Sequence, residues 1–248
     1  MITPNTLTTW NSVSNKSNIG PDIKELKIWD DKIKSLAKEA FEYMLERSKE
    51  GLSSVTKAWI LVCTAKCKEL VVFIKTQRPN TSEENINKVA HKFRGNIGEI
   101  FAEALVLGNY LANEDVACVY TPVDALHEDR TDALTYSSTN PELPMNIQVK
   151  NWAEIKPGFE VIERLEAVYA QNIFNLPEEL IKEYKSRPRQ ILISTTEWDD
   201  KAKMAMNDST KHHKDIVALV GPKEIDRRLG MHPTGFFSNI LRKFEGTT

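Results

Sequence analysis

Cysteine is scarce. Cys63, Cys67 and Cys118 give no disulfide framework, and the first two fall one helical turn apart in an apolar run. No second Cys/His pair has ligand spacing, so we read them as reduced core residues rather than a zinc site. A reducing, cytoplasmic setting is expected. Long hydrophobic runs are also missing: Lys66, Lys68 and Glu69 interrupt WILVCTAKCKELVVFI at 59–74, well short of the ~20 apolar residues a membrane span needs. That stretch reads as a buried helix, and no membrane partner is expected. The first twenty residues have neither a basic start nor an apolar segment, so no secretory signal is expected. Neither sign of charge dominates, with 33 Lys+Arg against 35 Asp+Glu and a net charge of −2. A nucleic-acid partner would therefore have to be met by a local patch. Internal repeats, a phosphate-binding glycine loop, a Ser/His/Asp order and fused methyltransferase or helicase signatures are all absent.

What is present divides into three parts. Residues 1–20 are rich in Thr, Ser and Asn without periodicity and read as a flexible arm. Residues 21–77 form a helical N-terminal region, with one helix from Pro21 to Gly51 and a second over roughly 53–76. From 81 to 248 the texture is that of an α/β core. It opens with a helix to about Gly108, started by a capping box of Thr81 with Glu84. Short β runs follow (ACVYTPV, DALTYSS, MNIQVKNW), the last two joined by a turn at Thr139, Asn140 and Pro141. A helical stretch from Phe159 to about Lys185 leads to a strand RQILISTT, a short helix near 199–206, a strand DIVALVG and a helix PKEIDRRLG. Strands alternating with helices predict a sheet covered on both faces.

The stretch DALTYSSTNPELPMNIQVKNW, 132–152, carries the chemistry. Strand alternation points Gln148 and Lys150 to one side and Ile147 and Val149 to the other. Upstream, GNIGEIFAE sets Glu99 on a helix with Gly95 and Gly98 nearby. Each glycine inside a helix costs about 1 kcal/mol relative to Ala, so the pair needs a reason such as close backbone approach.

GNIGE, TDAL and IQVKNW, followed by the strand, helix, strand, helix order after Arg189, resemble the PD-(D/E)XK nuclease superfamily. The likeness is greatest to its Mrr-like restriction endonuclease branch, where Gln often precedes the Lys. It covers about 90–230. It implies a restriction-endonuclease-like mixed β-sheet core flanked by helices, and metal-dependent cleavage of phosphodiesters, most naturally as a DNA endonuclease of restriction, defence or mobile-element type. By the resemblance, Asp132, Gln148, Glu99 and the Val149 carbonyl would hold Mg²⁺, with Mn²⁺ able to substitute, and Lys150 would assist the nucleophile. HEDRTDAL departs from the family pattern in lacking a Pro before the hairpin, and it also offers Glu128 and Asp129 as the first acid. Asp132 is favoured because it opens the strand that pairs with IQVK.

Candidate nucleic-acid contacts are His91, Lys92 and Arg94, one turn ahead of Glu99, and Asn151 and Trp152, which follow Lys150. Homodimerisation through the N-terminal helices is expected, since cutting two strands takes two sites. Other readings stand beside this one. A Q-X-K on a strand is, alone, ordinarily a solvated strand face. The fold could also serve as a non-catalytic nucleic-acid-binding module, or its site could act on RNA.

Overall fold

The computed structural model describes residues 27–107, 116–120, 133–137, 145–162, 189–207, 216–230 and 232–245. The expected arm 1–20, the hairpin turn at 139–141 and the acids Glu128, Asp129 and Asp132 lie outside the described residues.

Three helices open the described chain: α1 (Lys27–Glu50), α2 (Val55–Gln77) and α3 (Glu83–Leu107). Helix α1 ends at Gly51, whose φ of 90° only glycine adopts readily. Ser54 caps α2, its hydroxyl accepting from Lys57 N at 3.1 Å. The cap of α3 differs from the expected Thr81 box: Ser82 Oγ accepts from Asn85 N at 3.3 Å. Glu83 and Glu84 then sit in the first turn, where the helix dipole favours negative charge.

Five strands follow in one sheet of order β1-β2-β3-β4-β5: β1 (Val116–Tyr120), β2 (Ala133–Ser137), β3 (Met145–Lys150), β4 (Arg189–Ser194) and β5 (Ile216–Val220). The first three strands pair antiparallel, and β3, β4 and β5 pair parallel. This is a mixed α/β architecture. Helix α4 (Asp200–Asn207) connects β4 to β5; α5 (Pro222–Leu229) and α6 (Pro233–Glu245) follow. Of the expected helix from Phe159 to about Lys185, residues 159–162 are helical and the rest lies outside the described residues. Helix α6 was not expected from the sequence, although Phe236, Phe237, Ile240, Leu241 and Phe244 recur at helical spacing behind Pro233.

Alternation along the strands divides the core. Ile147, Ile191, Ile193 and Val220 join one large cluster with α1, α2, α3, α5 and α6, while Leu192 and Leu219 meet Trp198, Ala202, Val161 and Ile162 on the opposite face. The large cluster is threaded by stacked rings: Phe41 on Trp59 at 5.0 Å, Trp59 on Phe101 at 4.9 Å, and Phe101 edge-on to Phe236 at 5.3 Å. Described residues of α1 and α2 thus share the large cluster with those of α3, the sheet, α5 and α6. At the surface, Lys66 bridges Glu39 of α1 and Glu69 of α2, and Lys32 reaches Glu69 at 2.8 Å.

Asp226 of α5 closes the start of α2. Its carboxylate accepts from Ser54 Oγ at 2.6 Å and Thr56 N at 2.8 Å, so a negative charge sits on a helix N-terminus. Asp226→Ala is expected to lower stability by roughly 1.5–3 kcal/mol in denaturant unfolding, the worth of hydrogen bonds to a charged group. On the same helix, hydrogen bonds from Arg227 and Arg228 pull the Glu224 carboxyl down from 4.5 to about 2. A carboxyl depressed in the folded state stabilises above its unfolded pKa and loses that contribution as pH falls through its folded pKa. The thermal midpoint of wild type should therefore fall more steeply than that of Glu224→Gln between pH 4.5 and about 2. Parallel curves would show that the ion pair contributes nothing.

Candidate functional site

Strand β3 is central, paired antiparallel with β2 and parallel with β4, so its side chains project from the middle of the sheet. Gln148 lies opposite Leu192, and Lys150 opposite Ser194. Gln148 is only 3% exposed, which overturns its reading as part of a solvated strand face. Lys150 is half-buried, as is Val149, whose side chain packs against the large core. Ala133, the first residue of β2, pairs with Ile147; Asp132 directly precedes it in sequence.

Glu99 is partly exposed on α3, and the turn that carries it meets the carboxyl end of β3. The contact is made by Gly98 and Asn151. A Cβ built on Gly98 would lie 2.3 Å from Asn151 Cβ, so any side chain there would force the helix and the strand end apart. Gly95 differs: a Cβ there would meet nothing within 4 Å. Close approach explains one of the two helical glycines; the other has no packing reason.

Asn151 is 4% exposed and turned inward. Its Nδ2 donates to Arg94 O at 2.7 Å, and Arg94 Nε returns a bond to Asn151 O at 2.7 Å. Arg94 Nη1 also donates to Thr64 Oγ1 at 3.0 Å, across to α2. Arg94 and Asn151, both expected to touch nucleic acid, are instead engaged with each other and with the interior. His91 is exposed, Lys92 is half-buried, and Trp152 packs partly buried against the smaller cluster. From β4, Thr195 N donates to Lys150 O at 3.1 Å, and Thr195 Oγ1 lies 3.1 Å from Trp152 O and 3.3 Å from Asn151 Oδ1. In sequence Ser194, Thr195 and Thr196 read as the end of a strand at the sheet's carboxyl edge, where α/β ligand sites gather; the bonds of Thr195 to the end of β3 are not visible there.

Beneath this junction lie the two α2 cysteines. Burial pushes the Cys63 thiol far up, and the nearby Arg94 charge only partly opposes it. Burial likewise pushes Cys67 up to about 11 against the same charge. Both are neutral core thiols at physiological pH, as expected from their spacing.

The chain matches no protein-family model, no curated protein and no solved structure. Among the described residues no helix is long and apolar enough to cross a membrane, and no group of three or more His, Cys, Asp and Glu gathers to hold a metal. The oxygen donors of the expected set that are described are the Glu99 carboxylate, the Gln148 amide and the Val149 carbonyl. Hard oxygen donors of this kind suit Mg²⁺.

The two glycines give a paired test. Gly95→Ala is expected to raise stability by about 0.5–1 kcal/mol, because Ala is the better helix residue and its methyl meets open space. Gly98→Ala is expected to lower it by about 1–3 kcal/mol through overpacking. In an Asn151→Gly background, which removes the opposing Cβ, the Gly98→Ala penalty should largely disappear in urea titrations.

Proposed function

We propose that the chain is a metal-dependent nuclease that hydrolyses phosphodiester bonds, built on a restriction-endonuclease-like core and acting on DNA. The observation that carries this reading is the contact of Gly98 with Asn151. These two residues are the chain neighbours of Glu99 and Lys150, so the contact sets the turn of α3 that carries Glu99 against the end of the strand bearing Gln148 and Lys150. Support also comes from the strand order, in which a helix precedes an antiparallel meander whose third strand continues into parallel pairing.

In this reading Asp132, Gln148, Glu99 and the Val149 carbonyl would hold Mg²⁺, which would acidify the attacking water and polarise the phosphate. Lys150 steers the nucleophile and offsets charge developing on the phosphate. With an amide where relatives of this chemistry carry a second acid, the site is one charge less negative. Metal binding would then depend more on bound substrate phosphate. His91 and Lys92, ahead of Glu99 on α3, suit backbone phosphates, and Trp152 suits stacking on a base. Arg94 and Asn151 support the site from within.

The test uses wild type, Lys150→Ala and Asp132→Ala with supercoiled plasmid, linear duplex, single-stranded DNA and RNA, each with Mg²⁺, Mn²⁺ or EDTA. Wild type is expected to nick or cut DNA with metal and not with EDTA. The folded variants should be slower by about 10²- to 10⁴-fold. RNA cleavage in preference to DNA would reassign the substrate. Intact polymers throughout, with salt-dependent binding retained, would replace the enzyme with a binding module.

A further inference from the structure

We propose that Asn151 and Thr195 are positioning residues for Lys150, fixing the peptide units from which its side chain springs; the inference rests on the nuclease reading above. Strand β3 ends at Lys150, whose carbonyl takes the last bond of the β3–β4 pairing, so the carbonyls beyond it need partners other than a ladder. Three consecutive carbonyls are satisfied from neighbouring elements. Lys150 O accepts from Thr195 N at 3.1 Å, Asn151 O from Arg94 Nε at 2.7 Å, and Trp152 O from Thr195 Oγ1 at 3.1 Å. The Asn151 side chain then ties the junction to α3 through Arg94 O, and Thr195 Oγ1 lies within 3.3 Å of its Oδ1. Asn151 and Thr195 are 4% and 2% exposed, so their own side chains are largely shielded from water.

The chemistry makes such a root necessary. Lysine carries its ammonium on a flexible four-carbon stem with about 2 kcal/mol of rotamer entropy. Where the stem begins decides where the charge can reach, and a displacement of about 1 Å at a reacting group can lower a rate by about 10²-fold. Neither Asn151 nor Thr195 need touch substrate or metal; each would act through Lys150. Fixing the strand end should therefore influence turnover and leave substrate capture alone.

The decisive pair is Thr195→Val, which keeps the shape and removes the hydroxyl, and Thr195→Ser, which keeps the hydroxyl. With full-length protein and a duplex substrate, Thr195→Val is expected to lower kcat about tenfold, with KM and the Mg²⁺ concentration for half-maximal rate held within about twofold. Thr195→Ser should stay within about threefold of wild type on the same scale. Asn151→Ala should show the same kcat-only loss, and if it fails to fold the threonine pair decides alone. Thermal unfolding of each variant checks that the fold persists. A Thr195→Val enzyme that turns over like wild type overturns the proposal and leaves the nuclease reading standing. So does a Ser variant as slow as Val, or a loss in which KM and metal dependence move together with kcat, because either marks general distortion. A wild type that cleaves nothing removes the nuclease reading and this proposal with it.

Discussion

The described architecture turns on the place where α3 crosses the carboxyl end of β3. Glycine at 98 lets the helix come close enough for Asn151 to sit against its backbone, and Asn151 uses that closeness to bond Arg94 O. Arg94 answers through Nε to the same residue's carbonyl and through Nη1 to α2. Thr195 joins β4 to the junction from the other side. One buried amide thereby connects two helices and two parallel strands. Arg94 Nη2 is buried here without a hydrogen-bond partner, so the junction is not fully paired, and removing another of its bonds would leave a further buried polar group unmatched. Of the seven buried polar residues described, Ser48 and Thr56 lie on α1 and α2, and Asn96, Gln148, Asn151, Ser194 and Thr195 lie on α3, in β3 and β4 or directly after those strands. Burying polar groups is costly unless they are hydrogen-bonded, and Asn151 and Thr195 meet that condition at the junction.

Much of this was legible from the sequence and some was not, for definable reasons. Hydrophobic periodicity located α1, α2 and α3, and alternation with β-branched runs located the described strands, because both patterns follow from the face each element buries. Boundaries set by single hydrogen bonds were less legible: Ser82 and Thr81 carry the same hydroxyl, and only the path of the chain decides which one caps. Helix α6 was missed although its apolar residues are well spaced, because its stability comes from α1 and from the rings of Phe101 and Phe41, over a hundred residues earlier. Arg94 shows the deepest limit. Its charge suggested a surface contact, whereas the carbonyl that draws it inward belongs to a residue 57 positions away.

Gln148 shows how context changes the meaning of a residue. In sequence its neutral amide is an ordinary member of a strand face. In the folded chain it is buried beside Leu192, on the face that carries the smaller apolar cluster, where an ionised carboxylate without a cation would be costly. An amide keeps an oxygen donor in that position without placing a permanent charge in a poorly solvated interior. On that argument the neutral Gln suits its burial better than an acid would.

The helical residues 27–77 take part in the same structure. Their sequence suggested a recognition or dimerisation element, yet Thr64 and Cys63 of α2 meet the Arg94 and Asn151 side chains, and Asp226 holds the start of α2 against α5. Trp59 is stacked between Phe41 and Phe101, so α2 is bound to α3 on the apolar side as well as the polar side. The position of α3, and hence of Glu99 relative to Lys150, depends on contacts that α2 supplies. Helix α2 thus reaches the end of β3 through a continuous set of packed and hydrogen-bonded groups. Whatever the N-terminal helices bind, they also form part of the frame on which the candidate site is built.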